Sequence, residues 1–372
     1  MNPRSKSAAT AVFQASPPLF EEDLSSVLER TRDLWEGLRN QRIFVTGGTG
    51  FFGRWLLESF LYANRELGLA SCITLLTRDP ASFVARVPHA AGDPAVSLVQ
   101  GDVKNFAFPT GEYSHIIHGA AESSTIGSDR DPESMFSTIV DGTRQVLDFA
   151  AAAGTRRLLF VSTGAVYGPQ PPNLERLSEE YSGAPPPTDA RSAYGEAKRA
   201  GELLCVLRAD AGGTESMIAR CFAFVGPHLP LDGHFAVGNF IRDALEKRPV
   251  EVAGDGTPFR SYLYAADLAV WLWTILFKGR AGRPYNVGSE EAISIADLAG
   301  AVASLEAPAL EVRVVQRANR GAIAPRYVPC VRRAREELGL GQTVSQESAL
   351  RRTMAWWRAC GQGRIAHGQN GD

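Results

Sequence analysis

The chain has 372 residues, 44% hydrophobic and 22% charged, with 39 Lys and Arg against 41 Asp and Glu. A net charge of −2 gives no electrostatic ground for a nucleic-acid or anionic-membrane partner, and no apolar run reaches the roughly 18 residues that a membrane span needs. Cys72, Cys205, Cys221, Cys330 and Cys360 are scattered without a Cys-x-x-Cys pair and no histidines have ligand spacing, which argues against a disulfide framework or a metal site and fits a reducing cytoplasm.

Residues 1 to about 20 are rich in Ser, Ala and Pro and read as a disordered lead-in; Arg4 and Lys6 have no long apolar core behind them, so a secretory signal is not expected. Over 21–39, Leu24, Val27, Leu28, Leu34, Trp35 and Leu38 recur at helical spacing, predicting an amphipathic helix packed on the main domain or a partner subunit. Strands are expected at 42–46, 73–77, 96–99, 115–118, 157–162 and 216–220, with helices at 52–65, 132–153 and 192–209. His115 and His118, three apart in a strand, should point to opposite faces. This alternation predicts an α/β fold with a parallel sheet covered on both faces.

The proline-rich stretch 170–188 reads either as a surface loop rimming the site or as a connector. Beyond about residue 220, Pro227, Pro230, Gly233, Gly254 and Gly256 loosen the pattern, and helices near 239–246 and 266–277 suggest a smaller lobe. Four segments follow: an N-terminal extension (1–40), a dinucleotide-binding domain (41–225, with later segments returning to it), a substrate-binding lobe (226–345) and a tail (346–372).

Gly47, Gly50 and Gly53 form a Gly-x-x-Gly-x-x-Gly between the first strand and its helix. Glycines there permit a tight turn and let a pyrophosphate approach the helix N-terminus, where free N–H groups and the dipole favour negative charge. The second strand ends in Thr77-Arg78-Asp79. Arg78 beside Thr77 favours the 2′-phosphate of NADP(H), while Asp79 leaves NAD open as a ribose ligand. Asp102, after the third strand, is placed to accept from an adenine amine or to serve as a turn residue.

Tyr194 and Lys198 stand four apart in a predicted helix, one turn from each other on one face. A free phenol has a pKa of about 10, too high for a base at neutral pH; a neighbouring ammonium and an oxidised nicotinamide both favour the phenolate.

These motifs, taken in order, resemble the extended short-chain dehydrogenase/reductase family in its NAD(P)-dependent sugar-nucleotide epimerase/dehydratase branch, over roughly residues 41–340. The resemblance rests on Thr46-Gly-Gly-Thr-Gly-Phe-Phe-Gly53, Gly101-Asp102-Val103, His118-Gly119-Ala120-Ala121, Ser162-Thr163-Gly164-Ala165-Val166-Tyr167-Gly168 and Tyr194-x-x-x-Lys198. Arg220-Cys-Phe-Ala-Phe-Val-Gly-Pro227, Gly254-Asp-Gly-Thr-Pro-Phe-Arg-Ser261 and Tyr285-Asn-Val-Gly288 continue it. It implies a Rossmann-type doubly wound parallel sheet with a smaller C-terminal substrate-binding lobe. It also implies a dinucleotide held by Gly47, Gly50, Phe51, Phe52, Gly53, Thr77, Arg78, Asp102, Val103, Ala120, Ala121, Tyr194 and Lys198. In such enzymes Tyr194 would be the general base or acid at the sugar C4 hydroxyl, Lys198 would bind the nicotinamide ribose, and Thr163 would hydrogen-bond the reacting oxygen.

The chain departs from its resemblance in ways that narrow the reaction. Where 4,6-dehydratases carry an Asp-Glu pair, and UDP-glucuronate decarboxylases a Glu two residues before the Tyr of this motif, this chain has Gly164-Ala165. Neither can move a proton, which disfavours elimination and decarboxylation and leaves 4-epimerisation or 4-ketoreduction. The run Gly238-Asn239-Phe240-Ile241 and the Arg260-Ser261 pair look instead like the decarboxylase and dehydratase groups, and Glu122 is a candidate substitute carboxylate. Thr138 and Ala223 stand where family members tend to have Asn.

On the substrate side the resemblance implies a nucleotide-sugar diphosphate bound by Arg260, with Arg320 and Asn239 as further contacts; an arginine fork suits phosphate. Arg332, Arg333 and Arg335 read as a solvated helix face. By analogy with the family, a homodimer through the helices at 132–153 and 192–209 is expected. A non-catalytic redox-sensing binder is the alternative of another class, but it would have no use for a tuned phenol.

Overall fold

The computed structural model describes residues 17–121, 131–233, 235–318, 321 and 323–366. Its first half contains α1 (Glu21–Thr31), β1 (Arg42–Thr46), α2 (Phe51–Leu67), β2 (Cys72–Thr77), α3 (Pro80–Arg86), α4 (Pro88–Ala91), β3 (Val96–Gln100), β4 (His115–His118), α5 (Pro132–Ala152), β5 (Arg157–Thr163), α6 (Ala193–Asp210) and β6 (Glu215–Cys221). The second half contributes β7 (Phe224–Val225), α7 (Ala236–Leu245), β8 (Val250–Val252), β9 (Phe259–Arg260), β10 (Leu263–Tyr264), α8 (Ala265–Lys278) and β11 (Pro284–Val287). It closes with β12 (Ile293–Ser294), α9 (Ile295–Ala303), β13 (Val312–Val314), β14 (Arg326–Tyr327), α10 (Arg332–Leu338) and α11 (Gln346–Ala366).

Seven strands form one parallel sheet in the order β11-β6-β5-β4-β1-β2-β3. This is the doubly wound, Rossmann-like arrangement expected from the alternation of elements. Strand order reverses between β1 and β4, and the C-terminal ends of those two strands therefore open a crevice. Successive side chains bury on opposite faces. Ile43, Val45 and Ile117 join the larger core with α2 and α8, whereas Phe44, Ile116 and Phe160 join a second core with α5. His115 and His118 separate in the same way: His115 lies 5.1 Å from the Phe277 ring, and His118 reaches Thr143 of α5.

The small strands pair as β12-β9-β14, β10-β7 and β13-β8. The first of these ribbons matters most for the site, because β14 sets Tyr327 opposite Arg260 of β9.

Four sequence expectations change. The helix expected over 21–39 is broken: α1 ends at Thr31 and a single 3-10 turn, Trp35–Leu38, follows. Trp35 is fully buried, its indole donating to Thr31 Oγ1 at 2.9 Å and its ring 4.8 Å from Trp273, so tertiary packing overrides the helical period. Within the expected lead-in, Leu19 is buried and its amide donates to Glu58 Oε2 at 2.6 Å. The C-terminal tail is largely the helix α11, which buries Leu350, Met354 and Trp356 in the core. Arg333 belongs to a structural contact rather than to a solvated face, donating to Pro284 O and Glu180 at 2.6 and 2.8 Å.

The stretch 170–188 is tied to the sheet. Asn286 of β11 donates its side-chain amide to Leu177 O at 2.8 Å and Cys330 O at 3.0 Å, and accepts from Tyr167 Oη at 2.8 Å.

Asp267 staples the N-terminal extension to α8. It is fully buried and accepts from Arg30 Nη1 (2.5 Å), Thr343 Oγ1 (2.6 Å), Thr343 N (3.0 Å) and Val344 N (3.2 Å). Removing it orphans several donors at once. Asp267→Ala should lower stability by about 2–3 kcal/mol in denaturant unfolding; a loss under about 0.5 kcal/mol, the ordinary range of surface changes, would refute the staple.

Candidate active site

The crevice is shaped first by missing side chains. Gly47 adopts φ +74°, and a Cβ there would lie 2.6 Å from the Gly119 carbonyl, so β1 and β4 end in backbone contact. A Cβ on Gly53 would lie 2.3 Å from Gly47 O. Gly50 differs, since its Cβ would meet only Gly47 O, at 3.5 Å. It caps α2 without a side-chain hydrogen bond, leaving the first-turn amides of Phe51, Phe52 and Gly53 beyond the reach of i−4 carbonyls. A tight turn, an open approach and free amides at a helix N-terminus together fit a dinucleotide pyrophosphate.

A closed hydrogen-bond chain braces the crevice. Thr143 Oγ1 donates to Ile139 O at 2.6 Å and so accepts from His118 Nε2 at 3.1 Å, leaving Nδ1 to accept from Thr46 Oγ1 at 2.7 Å. Thr46 Oγ1 in turn accepts from Ala120 N at 3.1 Å. Burial pushes the His118 pKa down to about 3, with the Lys198 charge adding to it, so the ring is a neutral brace.

Residues expected around the adenosine have mixed surroundings. Thr77 is buried and accepts from Asp79 N at 3.3 Å, and Asp79 caps α3 by accepting from Ser82 N at 2.9 Å. Arg78 is exposed beside them. Asp102 accepts from Lys104 N at 2.9 Å, which is the turn role, while the Val103 side chain packs over Gly142 in the second core. Ala121 packs beside Ile139, Val140 and Ala197.

Thr163, Tyr194 and Lys198 come together at the end of β5. Thr163 is buried, and its hydroxyl accepts from Ala165 N at 3.2 Å. Tyr194, in the first turn of α6, is half-buried; desolvation pushes its phenol up to about 12 despite an opposing hydrogen bond with Thr163. Lys198 is buried one turn on, donating to Val161 O at 2.6 Å with its ammonium 4.8 Å from the Phe160 ring centre. Desolvation pulls its pKa down to about 8. Tyr194 and Lys198 stand one turn apart on α6 as their spacing implies, but these surroundings raise the phenol pKa rather than lowering it.

Glu202 is taken up elsewhere. It accepts from Ser162 Oγ at 2.5 Å and from Arg220 Nη2 at 2.6 Å, and the Arg220 guanidinium lies 4.8 Å from the Tyr167 ring centre.

Of the expected phosphate contacts, Arg260 is half-buried on β9, donating to Phe259 O at 2.8 Å and lying 5.8 Å from the Tyr327 ring centre. Asn239 sits in the first turns of α7, its backbone N–H donating to Phe235 O at 3.1 Å. Arg320 and Glu122 lie outside the described residues. Tyr327, outside every motif read from the sequence, and Phe222, within the Arg220–Pro227 run, complete the corner: a Cβ on Gly164 would lie 2.6 Å from Tyr327 Oη and 2.7 Å from Phe222 Cζ. Among the described residues no group of three His, Cys, Asp or Glu could hold a metal ion, and no helix is long and apolar enough to cross a membrane.

Fold and crevice together define a dinucleotide-binding protein of the epimerase and dehydratase kind. The chain belongs to the NAD dependent epimerase/dehydratase family, whose family model matches residues 43–288. It is 31% identical over 312 residues to UDP-glucuronic acid decarboxylase 6 of Arabidopsis thaliana, covering 84% of this chain and 87% of that protein. It is 29% identical over 318 residues to UDP-glucuronic acid decarboxylase 1 of Xenopus tropicalis, covering 86% and 72%. DesIV, a dTDP-glucose 4,6-dehydratase from Streptomyces venezuelae solved with NAD and TYD, superposes with a TM-score of 0.71 at 25% identity over 86% of this chain and 97% of that one. A UDP-glucose 4-epimerase from Thermotoga maritima, solved with UDP-glucose, gives 0.71 at 21% identity over 86% and 99%, a likeness of fold.

The open side of Gly50 yields a test that separates binding from folding. Val fits its extended backbone (φ −85°, ψ −175°), but its branches would enter the approach to the α2 amides. Gly50→Val should fold with near-normal Tm and bind NAD+ and NADP+ on the order of 100-fold more weakly by calorimetry. Unaltered affinity would place the pyrophosphate elsewhere.

Proposed function

We propose that this protein is an NAD(P)-dependent enzyme acting at C4 of a nucleotide-activated hexose, as a sugar-nucleotide 4-epimerase or 4-ketoreductase. The observation that carries the reading is the corner beside Thr163, where a hydroxyl, a phenol and a buried ammonium converge while residues 164 and 165 bear no carboxylate. A bound nicotinamide would exchange hydride with the sugar carbon, and the positive charge of its oxidised ring would favour the phenolate. In this reading Tyr194 takes the proton of the C4 hydroxyl, or returns one to a ketone. Thr163 hydrogen-bonds the reacting oxygen, and Lys198 holds the nicotinamide ribose.

Elimination and decarboxylation need a second proton-moving group. The position after Thr163 is filled by the Tyr327 and Phe222 rings, and Glu202 is neutralised by Arg220, which supports the simpler chemistry. The decarboxylase relatives favour a second reading, a dehydratase or decarboxylase with rearranged acid–base groups.

Residues 41–225 with β11 would hold the dinucleotide through Gly47, Gly50, Phe51, Phe52, Gly53, Asp102, Val103, Ala120 and Ala121, and residues 226–345 would hold the sugar nucleotide. Exposed Arg78 beside Thr77, with Asp79 turned to capping α3, supports NADP(H); a lower Kd for NAD+ would reverse that preference. Arg260, with Asn239 and Arg320, would bind the diphosphate. Five free cysteines fit a cytoplasmic protein.

Incubation with UDP- and dTDP-hexoses, hexuronates and 4-ketohexoses, with either cofactor, tests the reading by product mass. Unchanged mass with altered C4 stereochemistry, or gain of two hydrogens, is expected; loss of water or carbon dioxide would establish the second reading. Tyr194→Phe should lower turnover by about 10²–10⁴-fold while leaving cofactor Kd within about twofold. Equal loss of both would make the phenol a structural group.

Leu203 and Leu207 are 58% and 56% exposed on α6, which packs along α5, and this apolar face supports a homodimer. Leu203→Glu with Leu207→Glu should convert a dimer to a monomer in light scattering; a native monomer, or a dimer that survives the pair, would contradict this.

A further inference from the structure

We propose that Tyr327 is a positioning residue for Tyr194: its phenol, brought from the C-terminal lobe, donates to Thr163 and completes a row of hydroxyls running Tyr327, Thr163, Tyr194. The inference deepens the hydride-transfer reading and rests on it.

The placement is geometric. Parallel pairing of β14 with β9 sets Tyr327 opposite Arg260, and its ring stacks at a tilt on Phe222 with centroids 4.7 Å apart. Its hydroxyl stands 2.6 Å from where a side chain on Gly164, the residue after Thr163, would begin. Thr163 bears on both phenols, lowering the pKa of each against the burial that raises them.

Proton counting then gives the row a direction. Thr163 has one hydroxyl proton and two lone pairs, one of which already accepts from Ala165 N. When Tyr194 is a phenolate it can only accept, so Thr163 must donate to it. The remaining lone pair of Thr163 is then open to Tyr327 O–H. The donated chain stabilises the anion on Tyr194 without any proton leaving Tyr327. Burial raises the Tyr327 pKa well above its ordinary value, keeping it a donor while Tyr194 ionises.

The other groups around the pair are Lys198 on α6, Cys221 on β6 and Arg260 on β9. The buried Cys221 thiol disfavours both phenolates, whereas Arg260 favours that of Tyr327. Tyr327 also explains Gly164: a side chain there would displace the phenol from Thr163.

The test is a titration of the full chain labelled with ¹³Cζ-tyrosine and saturated with NADP+ or NAD+. The Tyr194 signal is assigned by its loss in Tyr194→Phe. Tyr327→Phe should raise the Tyr194 midpoint by about one pH unit, a tenfold change in ionisation constant. In a Thr163→Val background the same substitution should add nothing, because the link is already cut. An unchanged midpoint in folded Tyr327→Phe, or an equal shift in both backgrounds, overturns the proposal. If Tyr327→Phe does not fold, Thr163→Val alone must raise the midpoint, and failure to do so is equally fatal. Absence of turnover on every nucleotide sugar would instead count against the hydride-transfer reading, since the titration does not depend on substrate.

Discussion

The site depends on one buried hydrogen bond, from the Lys198 ammonium to the Val161 carbonyl at 2.6 Å. Burying a cation is expensive unless it is partnered, and here the partners are a single carbonyl and the face of Phe160. The contact clamps α6 to the end of β5. Once it is made, helical geometry sets Tyr194 one turn earlier, near the end of β5. The same desolvation pulls Lys198 down to about 8 and pushes Tyr194 up to about 12. These protein groups by themselves therefore keep the phenol neutral, and an additional positive charge would have to release its proton.

The crevice at the ends of β1 and β4 is made by subtraction. Gly47 and Gly53 allow backbone to meet backbone, and Gly50 leaves the α2 amides approachable. The neutral His118 chain then ties β1, β4 and α5 together behind them. Rigid backing and an open mouth suit a group that must be held at a fixed distance from a reacting carbon.

Much of this was legible in the sequence because the responsible interactions are local. Alternation of period two and period 3.6 gave the parallel strands and their helices, and glycine spacing marked the turn between β1 and α2. The Tyr194 and Lys198 spacing carried their one-turn separation. What escaped is set by contacts between residues distant in sequence. Trp35 broke the N-terminal helix to reach Trp273, and Arg333 turned from solvent toward Glu180. Tyr327 lies over 130 positions from Tyr194, and the β9–β14 pairing and the Phe222 ring carry it to Gly164. The sequence showed that residues 164 and 165 lacked carboxylates, yet not that the space beside residue 164 was filled by a phenol and a phenyl ring.

In the proposed reaction the Tyr194 phenol works on a sugar C4 hydroxyl while hydrogen leaves the same carbon. The most direct measurement is a single turnover with UDP- and dTDP-hexoses deuterated at C4, following the label by NMR. Transient deuterium on the nicotinamide ring is expected in the wild-type protein and none in Tyr194→Phe. Deuterium that never leaves the sugar, or that transfers equally well in Tyr194→Phe, would contradict it.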